Sequence, residues 1–388
     1  NVSLANYCAS GVGTAGTGCE IIMPNFDFTG ATNVNNIYQF FQGTKFSTSP
    51  NLTNWTLRTT APRPKFEYIF FNCDGQVELD LSTWNNTNKI TTFLASFHTA
   101  EFTSYNLTGW DTSNITTFNS AFYVNKYLTH ITGLSEFNSS STTDLRSMFY
   151  NTPYLTFGLS ESTTNFGVNW GPNLTSVGNI GSMFRLTGGS DAAALPPDIS
   201  NWATNTFINI FQMFQQSSWN GELDFSNWNL SGLTYSLSLK YLFYFAGDMT
   251  TLEFDNANFP STLTDMSYML HGAHSIESIS FGTGCDFSNI TTLQNAFYGS
   301  GLTNISFAND ADFSSLITGS GMMPAAVTMG TANYDNFLTR MDATWVDPGG
   351  FSGTLTMGAS KYTGGGTVAT ARAALVTAGW TITDGGIA

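Results

Sequence analysis

Residue types able to do acid–base, nucleophilic or metal chemistry are few in this 388-residue chain and poorly spaced for it. Only four His occur: His98, His130, His271 and His274. His271 and His274 lie three apart, which could place two metal ligands on one helical turn. Glu277, however, falls in a segment that reads as strand, and no His-Glu-x-x-His is present, so the cluster reads as polar surface. His98 directly follows a recurring Phe and reads as a turn residue. No Gly-x-Ser-x-Gly elbow is present. The Gly/Thr-rich stretch 11–18 lacks the Gly-Lys-Ser/Thr ending of a phosphate loop. Gly364-Gly365-Gly366 ahead of a helix reads as part of a C-terminal cap rather than an anion site. Asp310 and Asp312 are paired acids without an EF-hand or nonapeptide calcium pattern. No carboxylate pair is singled out for glycoside hydrolysis. We therefore expect a chain without catalytic residues, cofactor or metal, which is not an enzyme.

Cysteine use is sparse. Cys8 and Cys19 sit close together in the N-terminal Gly/Thr-rich stretch, where a disulfide between them is sterically feasible and would fit an oxidising compartment. Cys73 and Cys285 lie in apolar contexts and read as buried free thiols. There is no Cys-x-x-Cys pair, so a Cys-based zinc site is not expected.

The dominant signal is a repeat. One marker is an aromatic residue closing a short alternating segment: Trp55, Trp84, Trp110, Phe137, Trp170, Trp202, Trp228, Phe259, Phe287 and Phe313, at spacings of 26 to 33 residues. A second marker follows in each unit: Phe71, Phe97, Phe122, Phe149, Phe184, Phe214, Phe243, Leu270, Phe297 and Met323, at spacings of 25 to 35. Ahead of the first marker apolar residues alternate, as in Val77, Leu79 and Leu81, or Leu302, Ile305 and Phe307. That period of two turns them to one face of a strand. A polar turn follows, such as Asp111-Thr112-Ser113-Asn114. Then apolar residues recur three or four apart, as at Ile115, Phe118 and Phe122, which suits one or two helical turns. The expected fold is a repeat solenoid, leucine-rich-repeat-like, with a short parallel β-strand plus a short helical segment per coil.

One coil cannot bury its own apolar residues, but stacked coils merge them into one core. Trp84, Trp110, Trp202, Trp228, Phe287, Phe122, Phe149 and Phe297 are the expected core ladder. Residues recurring once per coil are read as core, so ligand contacts are sought among off-beat aromatics such as Trp219, Tyr154 and Tyr244. The domain reading is an N-terminal cap over 1–50, about ten coils over 51–325, and a C-terminal cap over 326–388. In that cap 353–357 reads as a strand, Thr367 as N-cap of a helix from Val368 to about Thr377, Gly379 as its stop, and Trp380 to Ile382 as a second strand. Longer spacings place loop insertions at 161–172 and 186–197, where contacts often gather.

Composition narrows the functional class. Twelve Lys+Arg against 27 Asp+Glu give a formal net charge of −15, a field that repels nucleic acid and anionic bilayers. Charged residues make up only 10% of the chain, so solubility rests on Asn, Thr, Ser and Gly. No apolar run approaches the ~18 residues of a membrane span. The chain opens at Asn1 without a basic-plus-apolar leader; we expect a removed signal peptide, the alternative being a fragment. Asn-x-Ser/Thr sequons recur, among them Asn51, Asn106, Asn114, Asn229 and Asn289. These are glycosylation candidates in a secretory host, although the repeat turn itself spells Ser-Asn-Ile-Thr.

Trp110-Asp111-Thr112-Ser113-Asn114-Ile115-Thr116-Thr117-Phe118 with Ala121-Phe122, and Asp286-Phe287-Ser288-Asn289-Ile290-Thr291-Thr292-Leu293 with Ala296-Phe297, resemble the BspA-like leucine-rich-repeat surface proteins. Ser147-Met148-Phe149 and Ser182-Met183-Phe184 are similar to the end of that family's unit. The closing 379–386 resembles tails of such proteins in bacteria and phage genomes. The resemblance spans roughly 50–388, with units near Phe137 and Phe259 drifted. It implies an extracellular, cell-surface or virion-surface solenoid with an adhesion role and no catalytic residues. The expected partners are a glycan, a surface protein or copies of the chain itself. The alternative is a structural subunit of an extracellular filament or a phage tail or head fibre.

Overall fold

The computed structural model describes residues 37–46, 48–57, 59, 65–157, 170–188, 196–225, 227–255 and 257–388. Cys8, Cys19 and most of the two long insertions lie outside the described residues. The chain divides into two compact units, Asn1–Asp198 and Ile199–Ala388.

In the first unit, β1 (Glu78–Asp80), β2 (Ser104–Asn106) and β3 (His130–Thr132) form a parallel sheet in that order. Leu79, Tyr105 and Ile131 share a register and face inward. In the second unit, β4 (Ser218–Asp224), β5 (Gly247–Phe254), β6 (Ser278–Phe281) and β7 (Asn304–Phe307) form a four-stranded parallel sheet, again in chain order. Phe254, Phe281 and Phe307 occupy one register there. Strands adjacent in sequence are neighbours in space and parallel, so each connection must travel round and return one strand further on. Residues 37–46, placed in the N-terminal cap by the sequence reading, already pair with the next turn of chain through Phe41 N–H to the Ile69 carbonyl (2.8 Å) and a Lys45–Asp74 bridge.

Among the described residues the runs after the polar turns, such as 93–99, are not helical, unlike the short helical segment expected from apolar spacing; short 3-10 helices stand only at Thr87–Lys89, Leu134–Glu136 and Gly171–Asn173. In 93–99, alternate N–H groups leave the coil: Phe93, Ala95, Phe97 and Thr99 donate to the carbonyls of Thr117, Asn119, Ala121 and Tyr123 at 2.7–3.0 Å. The intervening Ser96, His98 and Ala100 N–H groups donate three residues back within their own coil, to Phe93, Ala95 and Phe97. The same pattern carries 118–124 onto 144–150. An α-helix uses all these donors internally and is about 10 Å wide, too thick for coils bonded directly to each other ~4.8 Å apart. The alternation requires positive φ two residues before and two after the inner ring of each run: Ala95 and Thr99 around Phe97, Ser120 and Val124 around Phe122, Tyr241 and Phe245 around Phe243.

The core of each unit is an aromatic stack. Phe41, Phe70, Phe97, Phe122, Phe149 and Phe184 lie ring on ring, with centroids 5.0–5.8 Å apart and planes within 3–12°. In the second unit Phe214 stacks on Phe243, and Phe225, Phe254, Phe281 and Phe307 form another run. The inner ring of the second coil is thus Phe70; Phe71, chosen from the sequence, lies outside the core.

The chain closes with β8 (Gly319–Met323), α1 (Thr331–Thr344), β9 (Gly353–Met357), α2 (Gly366–Thr377) and β10 (Trp380–Thr383), the three strands parallel in the order β8-β9-β10. Strand 353–357 stands where the sequence put it. Thr367 lies inside α2 rather than at its N-cap, because Gly365 and Gly366, both at positive φ, turn the chain two residues earlier. Helix α1, with Tyr334, Phe337, Leu338 and Met341 buried, has no counterpart in the sequence reading. A buried Asp384 carboxylate joins both helices to the last strand: Arg372 Nε donates to it at 2.7 Å and Tyr334 Oη at 2.8 Å.

Candidate functional site: an outer aromatic row

The motif residues of the repeat are used within the fold. Trp84, Trp110, Trp202, Trp228, Phe122, Phe149, Phe287 and Phe297 are all at most 5% exposed. Trp84 stacks on Trp110 (5.9 Å) and Trp202 on Trp228 (6.1 Å). Indole, rather than phenyl, serves a second purpose: Nε1 of Trp84, Trp110 and Trp228 donates to the carbonyls of Leu52, Leu81 and Ile199 at 2.8–2.9 Å. Each of those carbonyls lies three residues before the Trp of the preceding coil. Asp111 caps its own turn by accepting from Ser113 N–H (3.0 Å). Buried Thr112 clamps the next coil, accepting from Asn138 N–H and donating to the Asn138 carbonyl. Asn114 Nδ2 and Thr116 Oγ1 donate to the preceding coil at Asn88 and Thr91. The chemistry-bearing types of the motif therefore bond coil to coil.

The sequon asparagines share this arrangement. Asn51, Asn114 and Asn289 are exposed, and Asn106 and Asn229 partly so. Asn51, Asn106 and Asn229 accept through Oδ1 from a residue two further on. In Asn114 the atom a glycan would occupy, Nδ2, is already the coil-to-coil donor.

Other candidates are structural by their surroundings. Cys73 is buried and its Sγ–H donates to the Phe41 carbonyl; burial raises its thiol far above the ordinary range. Burial likewise pushes Cys285 up to about 12. Neither thiolate forms near neutral pH, so neither is a nucleophile. Glu101 is raised by burial and by a hydrogen bond with Asp74 of the preceding coil. Carboxyls in hydrogen-bond contact lack the ~5 Å gap that a retaining glycosidase needs. Asp312 accepts from Ser314 N–H in a turn. Among the described residues no group of three or more His, Cys, Asp or Glu could hold a metal, and no helix is long and apolar enough to cross a membrane.

One step after Phe41 and Phe214 stand Gln42 and a buried Gln215, but after the other inner rings stand aromatic or basic residues that, Tyr244 apart, the sequence reading did not single out for contact. In the first unit these are Phe71, His98, Tyr123, Tyr150 and Arg185. They form a second row on the outside of the turn runs. Phe71 and His98 are 4.9 Å apart, His98 and Tyr123 4.5 Å, and Tyr123 and Tyr150 4.6 Å at 8°. The Arg185 guanidinium lies over Tyr150 at 5.3 Å. In the second unit the same position gives Tyr244, His271 and Tyr298, each pair 5.1 Å apart, flanked by Tyr241 on Tyr268 at 5.3 Å. All are part-exposed, and Tyr298 is 46% exposed. Of the off-beat aromatics, Tyr244 lies in this row and Tyr154 is half exposed. Trp219 is fully buried against Phe214 and can contact no ligand.

Stacking covers most of the ring faces and leaves part of each side chain exposed, although His271 Nδ1 and Arg185 Nε are themselves buried. Burial lowers both imidazoles below the ordinary histidine range. At His271 the neighbouring His274 adds to this, and the buried Nδ1 has no hydrogen-bond partner to accept an added proton.

A family model described as "Mycoplasma protein of unknown function, DUF285" matches residues 64–187 and again 162–249. One model fitting twice is what an internally repeated sequence allows. The two matches take in the first unit's row from Phe71 to Arg185 and Tyr244 of the second unit's row, and the description names no activity. No curated protein and no solved structure matches the chain.

Proposed function

We propose that this chain is a BspA-like, leucine-rich-repeat-like solenoid that acts outside the cytoplasm as a non-enzymatic recognition protein, with the outer row of its turn runs as the contact surface. The observation that carries this reading is the division of labour within each coil. Most motif polar groups bond coil to coil, while one position presents an aromatic or basic side chain outward in most coils, Gln42 and a buried Gln215 being the exceptions. A row with a donor or acceptor in most coils, Phe71 being an exception, suits a partner with its own repeat, and a glycan offers hydroxyls to hydrogen-bond with phenol, imidazole and guanidinium edges. The surrounding net charge of −15 disfavours polyanions, so a neutral glycan is the preferred class.

The test is binding of the purified full chain to a glycan panel and to intact cells, before and after Tyr123→Ala with Tyr150→Ala, and Tyr244→Ala with Tyr298→Ala. Loss of binding by tenfold or more in folded variants is expected. Unchanged binding by all of them would remove the outer row from the function.

A structural subunit of a filament or fibre is the second reading, favoured by the exposed aliphatic side chains Ile317, Val346 and Ile387 near the C-terminus (54%, 66% and 61%) on a weakly charged chain. Light scattering separates the two: concentration-dependent polymers support the subunit role, and monomers that bind cells support recognition.

A further inference from the structure

The outer row places two phenols in a geometry for a reaction that the recognition role does not require. Tyr123 and Tyr150 occupy the same position in adjacent coils, with ring centroids 4.6 Å apart and planes at 8°. Their backbones are tied on both sides of the pair. Phe122 N–H donates to the Met148 carbonyl (2.9 Å) and Val124 N–H to the Tyr150 carbonyl itself (2.7 Å). Beneath them Phe122 and Phe149 stack at 5.5 Å in the core. The rings are therefore held face to face by covalent attachment to a stacked backbone, yet both are partly exposed and open to a diffusing oxidant. His98 covers the far face of Tyr123 and Arg185 the far face of Tyr150, so each phenol's nearest phenol is the other.

We propose that Tyr123 and Tyr150 are a site of intrachain dityrosine formation, a covalent staple between adjacent coils made by a peroxidase-type oxidant with hydrogen peroxide. Each phenol loses one electron and one proton to give a tyrosyl radical with spin on its ortho carbons. The two radicals combine in a single Cε–Cε bond, and the two ring hydrogens at that bond move to the oxygens, restoring both phenols. The net loss is two hydrogens from the pair, which reduce one hydrogen peroxide to two waters. Holding the partners together makes the coupling effectively unimolecular, so it outruns coupling between chains. In the second unit Tyr241 and Tyr268 are set farther apart and less parallel, at 5.3 Å and 26°, and rank behind this pair.

The test treats the full-length purified chain with a haem peroxidase and limiting hydrogen peroxide. It follows dityrosine fluorescence, the size of the denatured chain, and peptide masses after digestion. The expected result is a monomeric chain in which the peptides carrying Tyr123 and Tyr150 are joined with the loss of two hydrogens, and the unfolding temperature is raised. Tyr123→Phe and Tyr150→Phe keep the ring stack and should each reduce that joined peptide at least tenfold, with circular dichroism confirming the fold. The proposal is overturned if no such peptide forms while exposed tyrosines such as Tyr154 cross-link between chains. It is equally overturned if the joined peptide survives in either Phe variant.

Discussion

Single residues in this protein are chosen for what they donate to the neighbouring coil. Trp110 illustrates it: the ring fills the core between Trp84 and Phe93, and its N–H reaches the Leu81 carbonyl at 2.9 Å. Trp110→Phe keeps most of the packing and loses the bond, for an expected cost of about 1–2 kcal/mol. Trp110→Ala empties the site as well and should cost about 3–5 kcal/mol, both read from denaturant unfolding. Val124 shows the reverse case, a β-branched residue held at φ 56° because its N–H is needed by Tyr150 of the next coil. Asn fills the equivalent position at Asn72 and Asn151. Val124→Asn should therefore stabilise the chain by about 0.5–1 kcal/mol, seen as a higher unfolding temperature; a lower one would show that the left-handed backbone carries no strain. Cys73 and Cys285 should resist thiol reagents in the native chain and react fully in denaturant, since burial keeps both protonated.

At the scale of the element, the turns that follow the strands limit substitution and the turn runs set the response to pH. Where a coil turns closest to its neighbour there is no space for a side chain. A methyl group on Gly282 would stand 1.7 Å from the Asp255 carbonyl oxygen, so Gly282→Ala should cost about 1–3 kcal/mol through backbone displacement. His98 and His271 titrate inside stacked rows. Their folded-state affinity for protons is lower than that of the unfolded chain, so the unfolded chain binds more protons as pH drops. The stability they contribute is present above the ordinary histidine range and is lost as pH falls through and below it. Replacing both with Phe should flatten the stability-versus-pH curve between about pH 7 and 5; an unchanged slope would assign the acid sensitivity to other groups.

For the whole molecule, two facts bear on the proposed function: an acidic chain with little charge to spare, and a core that each unit builds by stacking. Twenty-seven acids against 12 bases should keep the purified chain off DNA and heparin even at low salt, where attraction would be strongest. Retention on either would contradict the neutral-glycan preference. The sequence alone determined the period, the positions of most of the Trp and Phe that are buried once per coil, and strand 353–357. Burial repeats with the coil, and a repeated burial leaves a repeated apolar letter. It could not determine the form of the turn runs. A left-handed residue interrupts the backbone there at every fourth position, so the side chains follow neither a period of 3.6 nor one of two. The letters at those left-handed positions, among them Ala95, Thr99, Val124 and Tyr241, give no sign of it. For the same reason Phe70 and Phe71 were indistinguishable as inner and outer, and the outer row of His98, Tyr123 and Tyr150 was invisible in the sequence. Only hydrogen bonds between neighbouring coils decide which of two adjacent rings points into the core and which is left at the surface.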